Sequence, residues 1–501
     1  MNNRFSAVLG IFLLVFSVYA FVASGHYGGD AFNNYLTTES IVLDRDLEVY
    51  DRPFEVKEIK TGVQGVAGKD GKRYSPYGLG MALLQVPLYL IGLAVSFVLK
   101  NLPRDYITFF CVSFTNTFLS AVNVALLLVM LGKFSVKLKE AVFICLVYAF
   151  GTMAFVYSKA GFPEPALVTF LLISTIALFG YTKESRSEWW LAASGAALGA
   201  MAVIKVYTVI LTPVFLVYFL ATAKERRKFV WIPMLAFAAV WSIDLLANFS
   251  RFGNIFITGY GHVVAKAQGG NRFLKGLYYY WLSCGKGFFF YNLPLVLGLF
   301  YWRETREKSK PEFYFVVSII LVYTVFFAYF FKRGSIFSWG PRYMFPVVPL
   351  FAVLAAGVFR KRLALYVFAG LALLGFFVQL PAILTHYSSY INFAVEKLGA
   401  EEYMLNFIPD LSPIKGAWLI LASVANVNFG GQGITFMFNP DPLLVRSVSA
   451  PISDYAMSDL WWSNLLKVYP NMNFVVYGTF ILLILMFALG AFKLIKSDYS
   501  D

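Results

Sequence analysis

Apolar stretches long enough, or nearly long enough, to cross a bilayer recur along almost the whole chain. They occupy 5–23, 78–99, 106–131, 140–157, 165–181, 189–204, 206–221, 229–249, 288–302, 313–331, 342–359, 363–382 and 474–495. Each approaches the roughly 20 residues a helix needs to cross a hydrocarbon core about 30 Å thick. Helices are the only open structures that satisfy every backbone N–H and C=O within their own segment in such a medium. The pattern therefore predicts an all-α polytopic membrane protein.

The polar interruptions set the orientation. Lys133/Lys137/Lys139, Lys183/Arg186, Lys224/Arg226/Arg227/Lys228, Arg303/Arg306/Lys308/Lys310, Arg360/Lys361/Arg362 and Lys493/Lys496 separate every second run from 106 onward. Basic loops stay on the cytoplasmic side, so all of these belong there together with Arg4. That requires one crossing fewer before residue 132 than hydropathy offers. The run 78–99 is the one to demote, because it opens Gly78-Leu79-Gly80, carries Pro87 and follows Lys72-Arg73-Tyr74-Ser75-Pro76. It is expected as a broken, interfacial or re-entrant segment. About 12 transmembrane helices remain, both termini inside, with outer loops at 24–105, 158–164, 250–287, 332–341 and 385–473. Residues 1–384 read as a membrane module, 385–473 as a cap on the outer face, and 474–501 as a last span with a cytoplasmic tail. No small-x-small cleavage site follows the first run, so it is expected to be a retained helix.

Composition narrows the class. The formal charge is +14 over 501 residues, but the cations lie in short loops rather than one patch, which excludes a nucleic-acid surface. The cysteines are Cys111, Cys145 and Cys284 and the histidines His26, His262 and His386. None has the spacing of a disulfide framework or a zinc site.

The unusual residues fall in the outer loops. Asp30 heads Ala31-Phe32-Asn33-Asn34-Tyr35-Leu36-Thr37-Thr38-Glu39-Ser40, a pattern expected to form a helix on the membrane surface, with Asp30 either a plain N-cap or a catalytic carboxylate. Glu164 stands between Pro163 and Pro165 in the second outer turn, either a helix-start charge or, as an acid at membrane depth, a functional group. Lys205 interrupts two apolar runs, Lys286 lies in Gly285-Lys286-Gly287, and Arg342 in Gly340-Pro341-Arg342-Tyr343. Headgroup contact explains any one of them; together on one face they suit a lipid-linked phosphate, which an arginine grips with two parallel bonds. Arg251-Phe252-Gly253-Asn254 and Gly259-Tyr260-Gly261 read as turns.

In this order and on this side of the membrane, the Asp30 helix, Lys72-Arg73-Tyr74-Ser75, Glu164, the Lys205 stretch and Gly340-Pro341-Arg342-Tyr343 resemble the GT-C superfamily. More narrowly, they resemble its phospholipid-carrier-dependent glycosyltransferases, related to protein O-mannosyltransferases and lipid A aminoarabinose transferases. In the family's first loop an acidic pair is usual, whereas Asp30 here is followed by Ala31. The resemblance implies a GT-C-like fold with a long first outer loop of interfacial helices. It also implies transfer of a hexosyl or pentosyl group from a polyprenyl-phosphate donor to a hydroxyl of a lipid, glycan or protein. The expected setting is the outer face of the plasma (inner) membrane, with no nucleic acid involved. Asp30 and Glu164 would be the catalytic acids, the former as general base. Lys72, Tyr74, Lys205, Lys286, Arg342 and Tyr343 would hold substrate, and a divalent cation stays open as a cofactor, its ligands unknown. The rival readings are a lipid-linked glycan flippase or transporter, and an enzyme joining whole lipid-linked glycans. A transporter calls for related halves and charges at mid-membrane, and the halves here look unrelated.

Overall fold

The apolar runs become helices, and the computed structural model of the chain describes residues 2–26, 30–49, 65–184, 187–259, 272–329, 336–438 and 448–498. Among the described residues nine helices are long and apolar enough to cross a membrane, with two shorter apolar ones at Trp189–Ile204 and Val206–Thr222. The protein is an integral, multi-pass membrane protein. Among the described residues, backbone breakers divide some of the runs. The run 140–157 stops at Gly151 and resumes as a single turn, Ala154–Tyr157, and the run 288–302 is split at Asn292 ahead of Pro294.

The main helices are α1 (Asn2–Phe21), α2 (Asp30–Leu43), α3 (Gly80–Val98), α4 (Arg104–Ser113), α5 (Thr115–Lys133), α6 (Leu138–Gly151), α7 (Glu164–Glu184), α8 (Trp189–Ile204), α9 (Thr212–Thr222), α10 (Trp231–Phe252), α11 (Arg272–Leu282), α12 (Gly298–Lys308), α13 (Lys310–Tyr329), α14 (Val348–Leu354), α15 (Arg362–Leu384), α16 (Ser389–Leu398), α17 (Pro413–Asn428), α18 (Trp461–Val468) and α19 (Asn473–Asp498). Buried side chains of α5, α6, α7 and α14 form the centre of the main core. The two ends of the chain pack together. A Cβ on Gly10 of α1 would lie 2.9 Å from the carbonyl oxygen of Gly490 of α19, and one on Gly490 would lie 2.7 Å from that of Gly10. Only glycine permits that approach, and close backbone contact of this kind is how helices associate where no hydrophobic gradient drives them.

Two expectations are corrected. The segment 78–99 is not broken: α3 runs continuously through Pro87, which loses one backbone hydrogen bond without ending the helix. Nor does α2 lie on a surface, for its residues 31–40 are all buried. Its polar groups find partners in the neighbouring helices. Thr38 Oγ1 donates to Gln85 Oε1 at 3.0 Å, Tyr89 of α3 donates to Glu39 Oε1 at 3.2 Å, and the Tyr35 and Thr108 hydroxyls are 2.8 Å apart. A polar helix with satisfied side chains is stable inside protein, and the amphipathic pattern alone did not distinguish protein from membrane surface.

Between α2 and α3 a small antiparallel hairpin, β1 (Val66–Ala67) and β2 (Arg73–Tyr74), pairs Val66 with Tyr74 and Ala67 with Arg73. It docks on the end of α10. The buried Arg251 guanidinium donates to Ser75 O and Tyr77 O, both at 3.0 Å, and to Asn248 Oδ1 at 2.7 Å, with Asp244 at 3.8 Å. Arg251 thus closes a helix, whose Gly253 adopts φ 77°, and also clamps the first loop, a role its turn-like sequence did not announce. The segment after α15 folds around a cluster of its own that includes Tyr390, Phe393, Ile420, Phe436 and Ile452. Helices α16 and α17 and a hairpin of β3 (Thr435–Phe438) and β4 (Val448–Pro451) supply it, with Thr435 opposite Pro451.

Candidate active site

The turn that delivers Glu164 is held from one side by polar residues of α5. Asn116 Nδ2 donates to Ala160 O at 2.6 Å and to Phe162 O at 2.7 Å. Thr117 Oγ1 donates to Ser158 O at 3.0 Å and Asn123 Nδ2 to Pro165 O at 2.8 Å. Prolines on both sides stiffen the entry to α7, and the carboxylate sits in its first turn, where the helix dipole favours negative charge. Glu164 is wholly buried. Its Oε1 accepts from Arg342 Nε at 2.8 Å, whereas Oε2 has no hydrogen-bond partner among the described residues.

A second construction presents Arg342. Gly340 takes φ +62°, and a Cβ there would meet the Tyr291 ring at 2.7 Å, so glycine is required. The Trp339 indole donates to Gln379 Oε1 of α15 at 2.7 Å, and the Tyr157 hydroxyl to Trp339 O at 3.1 Å. Lys286 ties the same loop: Nζ donates to Ile336 O at 3.2 Å, to Ser338 Oγ at 3.1 Å and to Ser338 O. Burial pushes the Lys286 amine down to about 7, with the Glu402 carboxylate opposing and Arg342 adding to the shift. Arg342 itself is buried and stacks 4.1 Å from the centre of the Phe162 ring. Tyr343 stacks on Phe327 with centroids 5.1 Å apart.

Lys205 does not point away into a headgroup layer. It ends α8 with an extended backbone and stands 5.1 Å over the Tyr77 ring of the first loop. Two residues on, the Tyr207 ring meets Phe327 edge to face at 5.1 Å, the same ring on which Tyr343 stacks. Glu164, Arg342, Tyr343 and Tyr207 thus share one neighbourhood, with Lys205 at its first-loop edge and Lys286 behind Arg342. Lys72 and Tyr74 belong to the first-loop hairpin. Lys72 pairs with Glu48 at 2.9 Å and is half exposed. The Tyr74 hydroxyl donates to Asp70 Oδ2 at 2.8 Å, and burial, reinforced by that carboxylate, pushes the Tyr74 phenol up to about 12. Asp30 is the first residue of α2, and its side chain lies outside the described residues.

One cluster escaped sequence reasoning. Lys159, in the turn before Glu164, is fully buried and donates to Ile383 O at 2.8 Å and Asp459 O at 2.7 Å, with Asp459 Oδ2 at 2.9 Å. Ser24 Oγ donates to the same oxygen at 2.8 Å, and His26 Nε2 approaches Oδ1 at 3.7 Å. The signal was Lys159 itself, an ammonium in an otherwise apolar turn, but its partner is 300 residues away. Although burial opposes it, the Lys159 ammonium, with His386 and His26, brings the Asp459 carboxyl down to about 2. Among the described residues no group of three or more His, Cys, Asp or Glu is placed to hold a metal ion.

Residues 108–246, the segment carrying Glu164, Lys205 and Tyr207, match the dolichyl-phosphate-mannose-protein mannosyltransferase family. No curated protein matches the chain in sequence. Among solved structures, ArnT from Cupriavidus metallidurans bound to undecaprenyl phosphate superposes with a TM-score of 0.50 at 13% identity, covering 97% of this chain and 77% of that one. The apo state of the same protein gives 0.49 at 13% identity, covering 97% and 75%. The likeness to ArnT shows a shared fold, while the family match is confined to residues 108–246. That stretch runs from α4 to α10 and includes the buried acid Glu164.

Proposed function

We propose that the protein transfers a sugar from a polyprenyl-phosphate donor to an acceptor hydroxyl at the non-cytoplasmic face of the membrane. The observation that carries this reading is the buried Glu164–Arg342 pair, held by two separately braced loops in a chain whose matched family uses dolichyl-phosphate mannose. The ArnT structure bound to undecaprenyl phosphate supports a lipid phosphate as carrier. A buried ion pair of this kind is a poor source of stability compared with apolar packing. Its presence is better explained by chemistry.

A hydroxyl is a weak nucleophile at neutral pH, and a carboxylate within hydrogen-bond reach contributes typically about 10²–10⁴-fold by taking its proton as the bond to the sugar forms. Asp30, at the start of α2, is assigned that role. The departing group is a lipid phosphate, whose developing charge Arg342 and Lys205 stabilise in a site screened from water. Lys286 acts one step back, holding the loop that presents Arg342, and Lys72 with Tyr74 sits on the hairpin at the rim. Glu164 orients Arg342 and the sugar.

The test is transfer by the purified protein in detergent from radiolabelled undecaprenyl-phosphate sugars to a panel of hydroxyl acceptors, comparing wild type with Asp30→Asn and Arg342→Ala. Release of lipid phosphate by wild type, lost in Asp30→Asn with lipid binding kept, is the expected result. Binding of the lipid without cleavage of the sugar bond for any acceptor refutes the reading and favours a flippase.

A further inference from the structure

We propose that Tyr207 and Tyr323, together with Glu164, form a subsite for hydroxyl groups of the transferred sugar. This rests on the transferase reading above and extends it to two residues that the sequence patterns did not single out.

Three buried oxygens here have no hydrogen-bond partner among the described residues: Glu164 Oε2 and the hydroxyls of Tyr207 and Tyr323. They come from α7, from the turn after α8 and from α13, segments far apart in the chain. The phenol rings of Tyr207 and Tyr323 meet edge to face with centroids 6.5 Å apart. Phe327 links them to Glu164, packing against Tyr207 at 5.1 Å and against Tyr343 at 5.1 Å beside Arg342, whose Nε binds Glu164 Oε1. Tyr323 and Glu164 are fully enclosed. An unmade hydrogen bond at a buried group costs about 1–3 kcal/mol and more for a charge, so three in one group of packed side chains call for an explanation.

The donor and acceptor inventory selects the ligand. A carboxylate oxygen only accepts, and a phenol both donates and accepts. Neighbouring sugar hydroxyls match that set, since each can donate to the carboxylate or a phenol and accept from the other. A phosphate does not match, because its oxygens also only accept and would face Glu164 Oε2. Arg342 reaches this carboxylate at Oε1 through Nε with its guanidinium over Phe162, and Oε2 accepts from no described residue. Aromatic rings pack beside these oxygens: Phe327 meets Tyr207 at 5.1 Å and Tyr343 at 5.1 Å. Such rings suit the apolar C–H face that a sugar presents between its hydroxyls. The phosphate then lies toward Lys205 and the first loop, with the sugar toward Glu164.

A site that hydrogen-bonds a ligand hydroxyl loses discrimination when a partner is removed, because buried groups are then left unpaired. The experiment measures binding of undecaprenyl phosphate and of a panel of undecaprenyl-phosphate hexoses and pentoses to the full-length protein in detergent, for wild type, Tyr207→Phe and Tyr323→Phe. Wild type is expected to bind at least one sugar-bearing lipid more tightly than the bare lipid phosphate. Each variant is expected to lose roughly 10-fold of that difference, with affinity for the bare lipid unchanged and resistance to unfolding equal or higher, since an unpaired buried hydroxyl has been removed. Variants that bind the sugar-bearing lipid as wild type does overturn the proposal. So do variants that lose affinity for the bare lipid equally, or that unfold more readily. Intact transfer by wild type with unaffected variants refutes the subsite alone, whereas a wild type that neither transfers sugar nor distinguishes sugared from bare lipid refutes the transferase reading as well.

Discussion

Replacing Lys159 by methionine tests whether a buried ion pair joins distant parts of this fold. The ammonium lies between Asp459 Oδ2 at 2.9 Å and two backbone carbonyls, Ile383 O and Asp459 O, and its side chain is fully enclosed. Methionine fills much of the volume but leaves the Asp459 carboxylate buried, with Ser24 Oγ and the more distant His26 as its remaining partners. Removing one member of a buried pair costs about 3–5 kcal/mol, most of it the penalty of stranding the other charge. Asp459→Asn alone is expected to cost a similar amount by stranding Lys159. The double variant should cost clearly less than the sum, because neither charge is then left unpaired, giving a coupling of about 1–3 kcal/mol. The assay is unfolding in mixed micelles titrated with a denaturing detergent and followed by tryptophan fluorescence. Trp461 is a well-placed reporter, buried beside this joint with its indole donating to Ala20 O at 2.9 Å. Single variants within about 1 kcal/mol of wild type, adding without coupling, would show that the pair does not hold the parts together.

The same joint predicts acid sensitivity in two steps. Burial pushes the His386 imidazole down to about 4, with Asp459 opposing and His26 and Lys159 reinforcing, so the unfolded chain takes up this proton first and stability falls as pH drops from about 6.5 to 4. A stability profile flat over that window, or one unchanged by His386→Gln, refutes the assignment. The Asp459 carboxyl, brought to about 2, contributes stability that is present above about pH 4 and lost as pH falls toward 2, an effect of about 2 kcal/mol that Asp459→Asn should remove. At the first loop, Arg251→Gln leaves the buried Asp244 carboxylate without its cation, with Leu79 N and Asn248 Nδ2 as remaining donors, and frees the carbonyls of Ser75 and Tyr77. It is expected to destabilise by about 3–5 kcal/mol and to open the first-loop hairpin to limited proteolysis, and a hairpin as resistant as in wild type would refute the clamp.

The chain's one-dimensional pattern determined the class of solvent and the kind of secondary structure. Runs of apolar residues near the span of a bilayer leave the backbone no alternative to helix, so the positions of most spans were legible from hydropathy alone. The identity of Glu164 and Arg342 as suspects was legible too, because a charge inside an apolar context is costly and needs a reason. Periodicity did not decide what surrounds each element. α2 carries the pattern of a surface helix, but Gln85, Tyr89 and Thr108 supply partners that let its polar residues be enclosed. Pro87 signalled a break that neighbouring packing did not enforce. The pairing of Glu164 with Arg342, 178 residues apart, of Lys159 with Asp459, and of Tyr207 with Tyr323 belongs wholly to the tertiary structure. Sequence states the cost of burying a polar group, but its partner is chosen by three-dimensional packing, which brings together residues that share no local pattern.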